Sequence, residues 1–199
     1  MKIGIIDYGM GNLGSISNAL KYIGVEWIIS SDIKELENTD KLILPGVGAF
    51  GDAIKQLKEK ELDYFIHKSV KKEKPLLGIC LGMQLLFNSS KEHGNHKGLE
   101  ILDGEIVKFN TDLKVPHMGW NKLNINKREP LYKGLPDNSN VYFVHSYHLE
   151  TSKDIVSATT YYGKQIQISA QENNVYALQF HPEKSGVIGL KILSNFVSI

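Results

Sequence analysis

The sequence holds a single cysteine, Cys80, in 199 residues, which excludes an internal disulfide framework and fits a reducing compartment. Neither sign of charge is in excess. The 23 Lys plus Arg and 22 Asp plus Glu leave a net charge of +1, so the basic surplus behind most nucleic-acid binding is missing. No apolar run approaches the ~20 residues that cross a bilayer. Internal repeats, low-complexity tracts and long linkers are lacking as well, which predicts one domain over residues 1–199. Met1-Lys2-Ile3-Gly4-Ile5-Ile6-Asp7 reads as a strand and lacks the apolar core and cleavage site of a signal peptide. The expectation is a soluble cytoplasmic α/β protein. A chain of this length buries roughly 70% of its unfolded surface and needs no staples.

The first ninety residues alternate short apolar runs with helical periodicity. Strands are expected at Lys2–Asp7, Glu26–Ser30, Lys41–Leu44 and Leu76–Cys80, and helices at Asn12–Ile23, between Gly51 and Val70, and at Leu81–Phe87. That rhythm predicts a parallel sheet covered on both faces. Ser89–Gly98 is polar and reads as a surface loop. Beyond it the pattern is mostly strands, at Glu105–Phe109, Lys122–Ile125, Val141–Tyr147, Ile155–Tyr162, Gln165–Gln171 and Val175–Phe180, before a last helix over Gly186–Val197. The fold expected is a three-layer α/β sandwich with a mostly parallel central sheet and additional antiparallel strands.

Two glycine-rich turns compete for attention. Gly9-Met10-Gly11-Asn12-Leu13-Gly14 is a literal G-x-G-x-x-G between a strand and a helix, with Asp32 beyond it where a ribose-binding acid would sit. The second half supplies no second βαβ unit to hold the other nucleotide, so dinucleotide binding is a weak reading. Gly78-Ile79-Cys80-Leu81-Gly82 is the layout of a nucleophile held in a strained strand-to-helix turn, with sulfur as the nucleophile. The helix start beside it favours the thiolate, and the Leu81 N–H faces a developing oxyanion. A thiolate nucleophile wants a histidine, and the histidine a carboxylate. Among seven histidines, His181 in Gln179-Phe180-His181-Pro182-Glu183 has one at hand. Pro182 holds His181 extended, and in an extended segment Glu183 faces the same way as His181. His93-x-x-His96 and His145-x-x-His148 each offer two metal ligands without a third, so no metal site and no cofactor is predicted.

These residues fall in a known pattern. Pro45–Phe50 (PGVGAF), Gly78–Gln84 (GICLGMQ) and Gln179–Ser185 (QFHPEKS) resemble the class I, triad-type glutamine amidotransferases. Within them Asp7–Gly14 (DYGMGNLG), Pro116–Asn121 (PHMGWN) and Tyr142–Tyr147 (YFVHSY) resemble the glutaminase subunits of imidazole glycerol phosphate synthases. The resemblance implies a catalytic triad of Cys80, His181 and Glu183 that hydrolyses glutamine through a thioester. It implies oxyanion and glutamine contacts from Gly46, Val47, Gly48, Leu81, Gln84, His145, Ser146 and Tyr147. It also implies a (β/α)8 cyclase partner that takes the ammonia through a dry passage, with Asn12, Trp120, Tyr142 and Lys184 at or near the interface. In that family the Gly9–Gly14 turn lies beside the glutamine and partner side rather than on a dinucleotide. Two departures stand out. Gly98-Leu99-Glu100-Ile101-Leu102-Asp103-Gly104 replaces the usual Gly-Leu-Gly-Leu-Ile-Pro-Gly, and His148 stands where an aromatic is more usual. They lie outside the triad and bear on the partner alone, which leaves as an alternative a paralogous glutaminase that feeds a sugar-modifying amidotransferase in surface-polysaccharide synthesis. A non-catalytic binding module of the same fold is a separate alternative, against which the intact Cys80, His181 and Glu183 set argues.

Overall fold

The computed structural model describes residues 1–128 and 130–199. The chain starts with the expected alternation: β1 (Lys2–Ile6), α1 (Leu13–Ile23), β2 (Glu26–Ser30), α2 (Ile33–Glu37), β3 (Lys41–Leu44), α3 (Phe50–Glu59), α4 (Leu62–Lys71), β4 (Leu76–Ile79) and α5 (Leu81–Leu85). A run of strands follows: β5 (Ser89–Ser90), β6 (His96–Lys97), β7 (Glu105–Lys108), β8 (His117–Lys122), β9 (Asn124–Ile125), β10 (Asn140–His145), β11 (Tyr147–Glu150), β12 (Val156–Tyr162), β13 (Lys164–Glu172) and β14 (Val175–Leu178). A 3₁₀ turn at Pro182–Lys184 and α6 (Gly186–Ser198) close it.

Strands β2-β1-β3-β4-β14 lie side by side and parallel. The sheet then turns antiparallel through β13, with β11 and β7 on one branch and β12 and β9 on the other. β8 and β10 form a separate antiparallel pair. Period-two alternation explains why the central strands are apolar throughout. Ile3, Ile5, Leu77, Ile79 and Leu178 face α1 and α6, packing on Ile16, Leu20, Ile192 and Phe196. Ile6, Leu42, Leu44, Leu76 and Ala177 face the other layer, meeting Phe50, Leu57, Phe65 and Met83. Each such buried Ile, Leu, Phe or Met side chain contributes about 1.5–3 kcal/mol.

Several expected boundaries are corrected. The single helix expected between Gly51 and Val70 is two, because Glu61 adopts φ 56° and breaks it. The polar stretch Ser89–Gly98 contains the β5–β6 hairpin, which pairs with β7. The strand expected over Val141–Tyr147 ends at His145, and β11 resumes in another sheet. The strand expected from Lys122 begins at His117. The short helix α2 was not anticipated. Asp32, weighed above as a ribose ligand, caps it by accepting from the Lys34 N–H at 2.7 Å.

Candidate active site

The carboxyl ends of three adjacent parallel strands meet at one place. β3 leads into the Pro45–Ala49 loop, β4 into Cys80, and β14 into His181. Open α/β sheets put ligands at this edge.

Cys80 sits at φ 56° and ψ −115°, a strained conformation, with its N–H donating to Leu178 O at 2.7 Å. The sequence tolerates the bend only with glycine nearby. A Cβ on Gly82 would run into the Leu44 carbonyl, and one on Gly78 would lie 2.8 Å from Met83 Cα. The turn therefore presses against the loop after β3. Gly48 supplies the positive φ of 96° that the facing loop requires.

His181 follows β14, and its Nδ1 lies 2.8 Å from Glu183 Oε1, both side chains almost fully buried. The pairing anticipated from an extended segment is made differently. Residues Pro182–Lys184 form a 3₁₀ turn that swings Glu183 back under the ring. Burial disfavours the charged imidazole, but Cys80 and Glu183 together outweigh it and raise the His181 pKa to about 10. His181 Nε2, the atom turned from Glu183, is buried without a hydrogen bond of regular geometry.

A cavity of about 420 Å³ opens over the thiol. Its lining includes Val47, Gly48, Cys80, Leu81, Gln84, His145, Ser146, Tyr147 and His181. Gly46 does not line it. Gly46 packs behind, where a Cβ would come within 2.6 Å of Gly82 N and 2.7 Å of the Tyr8 hydroxyl. Asn12, Trp120, Tyr142 and Lys184 lie outside the cavity. Trp120 is 59% exposed and meets Tyr142 edge to face at 6.1 Å.

Three neighbours escaped the sequence reading. Gln179 Nε2 lies 4.0 Å from Cys80 Sγ, and Gln179 Oε1 accepts from Gln84 Nε2 at 2.9 Å. Its place in the QFHPEKS motif was the available signal. Glu92 lines the cavity from the β5–β6 hairpin and accepts from the Phe50 N–H at 2.6 Å. A polar stretch gives no sign of such a reach. The buried Tyr8 hydroxyl donates to Pro45 O at 2.8 Å, and burial with the Cys80 charge pushes its pKa up. The G-x-G-x-x-G turn likewise serves this loop: a Cβ on Gly11 would lie 3.1 Å from Pro45 Cγ, whereas one on Gly14 would meet nothing. The third glycine of a dinucleotide fingerprint exists for close packing, and here it has none. Among the described residues, no three His, Cys, Asp or Glu are grouped to hold a metal ion.

The fold and site define a class: a three-layer α/β protein with a thiol on a strained strand-to-helix turn beside an imidazole–carboxylate pair. The glutamine amidotransferase class-I family model matches residues 4–199, and the chain belongs to that family. Imidazole glycerol phosphate synthase subunit HisH of Bacillus cereus is 50% identical over 197 residues, covering 99% of this chain and 94% of its own length. The subunit of the same name from Caldanaerobacter subterraneus is 52% identical over 195 residues, covering 98% and 96%. Among solved structures, a protein of Thermoplasma acidophilum described as a GMP synthase subunit superposes with a TM-score of 0.76 at 25% identity, covering 100% of this chain and 92% of that one. The PurLQS structure of Thermotoga maritima gives 0.77 at 18% identity, covering 99% and 97%, a likeness of fold.

Proposed function

We propose that the chain is the glutaminase subunit of an imidazole glycerol phosphate synthase, working in the cytoplasm with a (β/α)8 cyclase subunit in histidine biosynthesis. Cys80 Sγ attacks the side-chain amide carbon of glutamine. The C–N bond breaks as His181 gives its proton to the leaving ammonia, and a thioester forms. Water then attacks the thioester, His181 takes its proton, and glutamate leaves as the thiolate returns. Glu183 keeps the ring oriented and stabilises the imidazolium. The Leu81 N–H and the Val47–Gly48 backbone face the oxyanion. Glu92 meets the α-ammonium of glutamine, because it is the one carboxylate among the described residues that line the cavity.

The observation that carries this reading is the strained Cys80 on the floor of an amino-acid-sized cavity, with a His181–Glu183 pair at 2.8 Å beside it. The test is Cys80→Ser in the complex with the cyclase. Synthesis from glutamine is expected to fall by at least about 10³-fold, while synthesis from added ammonium is retained. Glutamine-dependent synthesis that survives the substitution would contradict the assignment, whereas loss of both activities would indicate damaged folding or docking. A histidine auxotroph lacking its glutaminase separates this pathway from surface-sugar synthesis, since the chain is expected to restore growth.

A further inference from the structure

Four groups are joined in a line that starts on the cavity wall, at Tyr147 and His145, and runs away from it through His117 to Asn121. His145 Nδ1 lies 2.8 Å from the Tyr147 carbonyl oxygen. His145 Nε2 lies 3.0 Å from His117 Nδ1, and His117 Nε2 lies 3.2 Å from Asn121 Nδ2. The Asn121 amide is oriented by two further bonds: Oδ1 accepts from the Lys122 N–H at 2.8 Å, and Nδ2 donates to Tyr161 O at 2.9 Å.

The protons follow from the partners. A carbonyl oxygen only accepts, so His145 carries hydrogen on Nδ1. Its Nε2 then holds a lone pair and needs a donor, which His117 supplies from Nδ1. That leaves His117 Nε2 as an acceptor, and an Asn121 N–H points at it. Every atom has a partner of the right sense, and neither ring has room for a second proton. Burial agrees, lowering the pKa of His117 to about 4 and that of His145 to about 3. The other ionisable groups around His145 are His148 and His181, with Glu150 and Lys164 beyond His148. The rings are also clamped. His117 lies between Phe143 and Tyr162 at 4.7 and 4.1 Å, and His145 packs on Phe109 at 5.1 Å.

We infer that His117 and Asn121 are positioning residues for glutamine: a chain of two neutral imidazoles with fixed tautomers holds His145 and the Tyr147 carbonyl in place on the cavity wall. The Tyr147 oxygen also receives the Gln84 amide, at 3.4 Å, so the chain ends on the group that orients a second lining residue. Its outer end, Asn121, is the neighbour of exposed Trp120 on β8, so the His145–His117 bond ties the cavity wall to that strand. The inference rests on the glutaminase reading for its ligand and on the hydrogen-bond geometry for its chemistry.

The test has a spectroscopic arm and a kinetic arm, both on the full chain. In ¹⁵N NMR at pH 7, His117 and His145 are each expected to show a protonated Nδ1 and a bare Nε2. A protonated Nε2 on either ring overturns the proposal, and this holds whether or not any variant folds. In the complex with the cyclase, His117→Leu is expected to raise KM for glutamine roughly three- to tenfold, the size of one lost hydrogen bond, with little change in kcat. His117→Asn, whose amide nitrogen can replace Nδ1 as donor to His145, is expected to return KM to within about twofold. An unchanged KM in His117→Leu, or equal loss in both variants, overturns the positioning role. A wild-type complex that hydrolyses no glutamine overturns the glutaminase reading instead and leaves the tautomer result standing.

Discussion

Buried histidines in this chain are driven in opposite directions by their neighbours. His181 stands between Cys80 and Glu183, which together outweigh its burial and raise its pKa to about 10. His117 and His145 have only polar and aromatic neighbours at contact distance, and burial holds them neutral. The second pair has a consequence for stability. An unfolded histidine titrates near ~6.5. Below that pH the unfolded chain takes up protons that folded His117 and His145 refuse until about 4 and about 3. Stability contributed by their neutrality is therefore present above pH 6.5 and is lost as the pH falls, by about 1.4 kcal/mol per pH unit for each ring. Urea unfolding at pH 7.5 and at pH 5.5 is expected to show this drop, offset in part by His181, whose raised pKa stabilises the fold as the pH falls toward 6.5, and His117→Asn is expected to show a smaller drop than the wild type. An equal drop in both proteins would mean that His117 takes up protons alike in the folded and unfolded chains.

The elements record how the sequence was legible in some places and opaque in others. The helix break at Glu61 is a left-handed residue between two amphipathic segments, and nothing in its side chain advertises it. Glycine adopts that conformation without the Cβ clash. Glu61→Gly is therefore expected to raise stability by about 0.5–1 kcal/mol, read as a higher urea midpoint with unchanged slope. The parallel strands were readable because burial on both faces makes them continuously apolar, and the Cys80 turn because flanking glycines have few other uses. β8 was not. Its large apolar residues, Met118 and Trp120, point outward, while His117 turns inward, which inverts the usual alternation. The break at Ser146 was hidden inside an unbroken run of strand formers, and α2 is too short for periodicity to show. The partnership of His181 with Glu183 could be read from spacing, though the turn that makes it is helical rather than extended. Glu92 and Tyr8 reach the site from distant segments, and only packing reveals them. His148, the departure from a usual aromatic, packs its ring on Phe109 at 5.0 Å and so fills an aromatic's place.

On the scale of the molecule, the exposed β8–β10 pair and the active site share backbone. Trp120 stands opposite Tyr142 in the register of that pair. Tyr142 O accepts from the His181 N–H at 3.0 Å, and Tyr142 N–H donates to Ser185 Oγ at 3.0 Å. The Ser185 hydroxyl in turn donates to His181 O at 2.6 Å. A partner seated on Trp120 thus bears on the strand that holds the backbone of His181, while the Gly9–Gly14 turn backs the Pro45–Gly48 loop from another side. Aromatic anchors of this kind dominate interface energy. Trp120→Ala is expected to weaken binding to the cyclase by about 2 kcal/mol, or roughly 30-fold in Kd, and to leave the urea midpoint unchanged because the side chain is already exposed. Glutamine hydrolysis by the isolated chain is expected to be slow and to rise roughly 5- to 150-fold when the cyclase and its own ligand are added. At saturating partner, Trp120→Ala should also blunt that rise, since Trp120 abuts the strand behind His181. If its only effect were on Kd, the strand would be a docking surface without a role in coupling, and activation would have to reach the site through the Pro45–Gly48 loop alone.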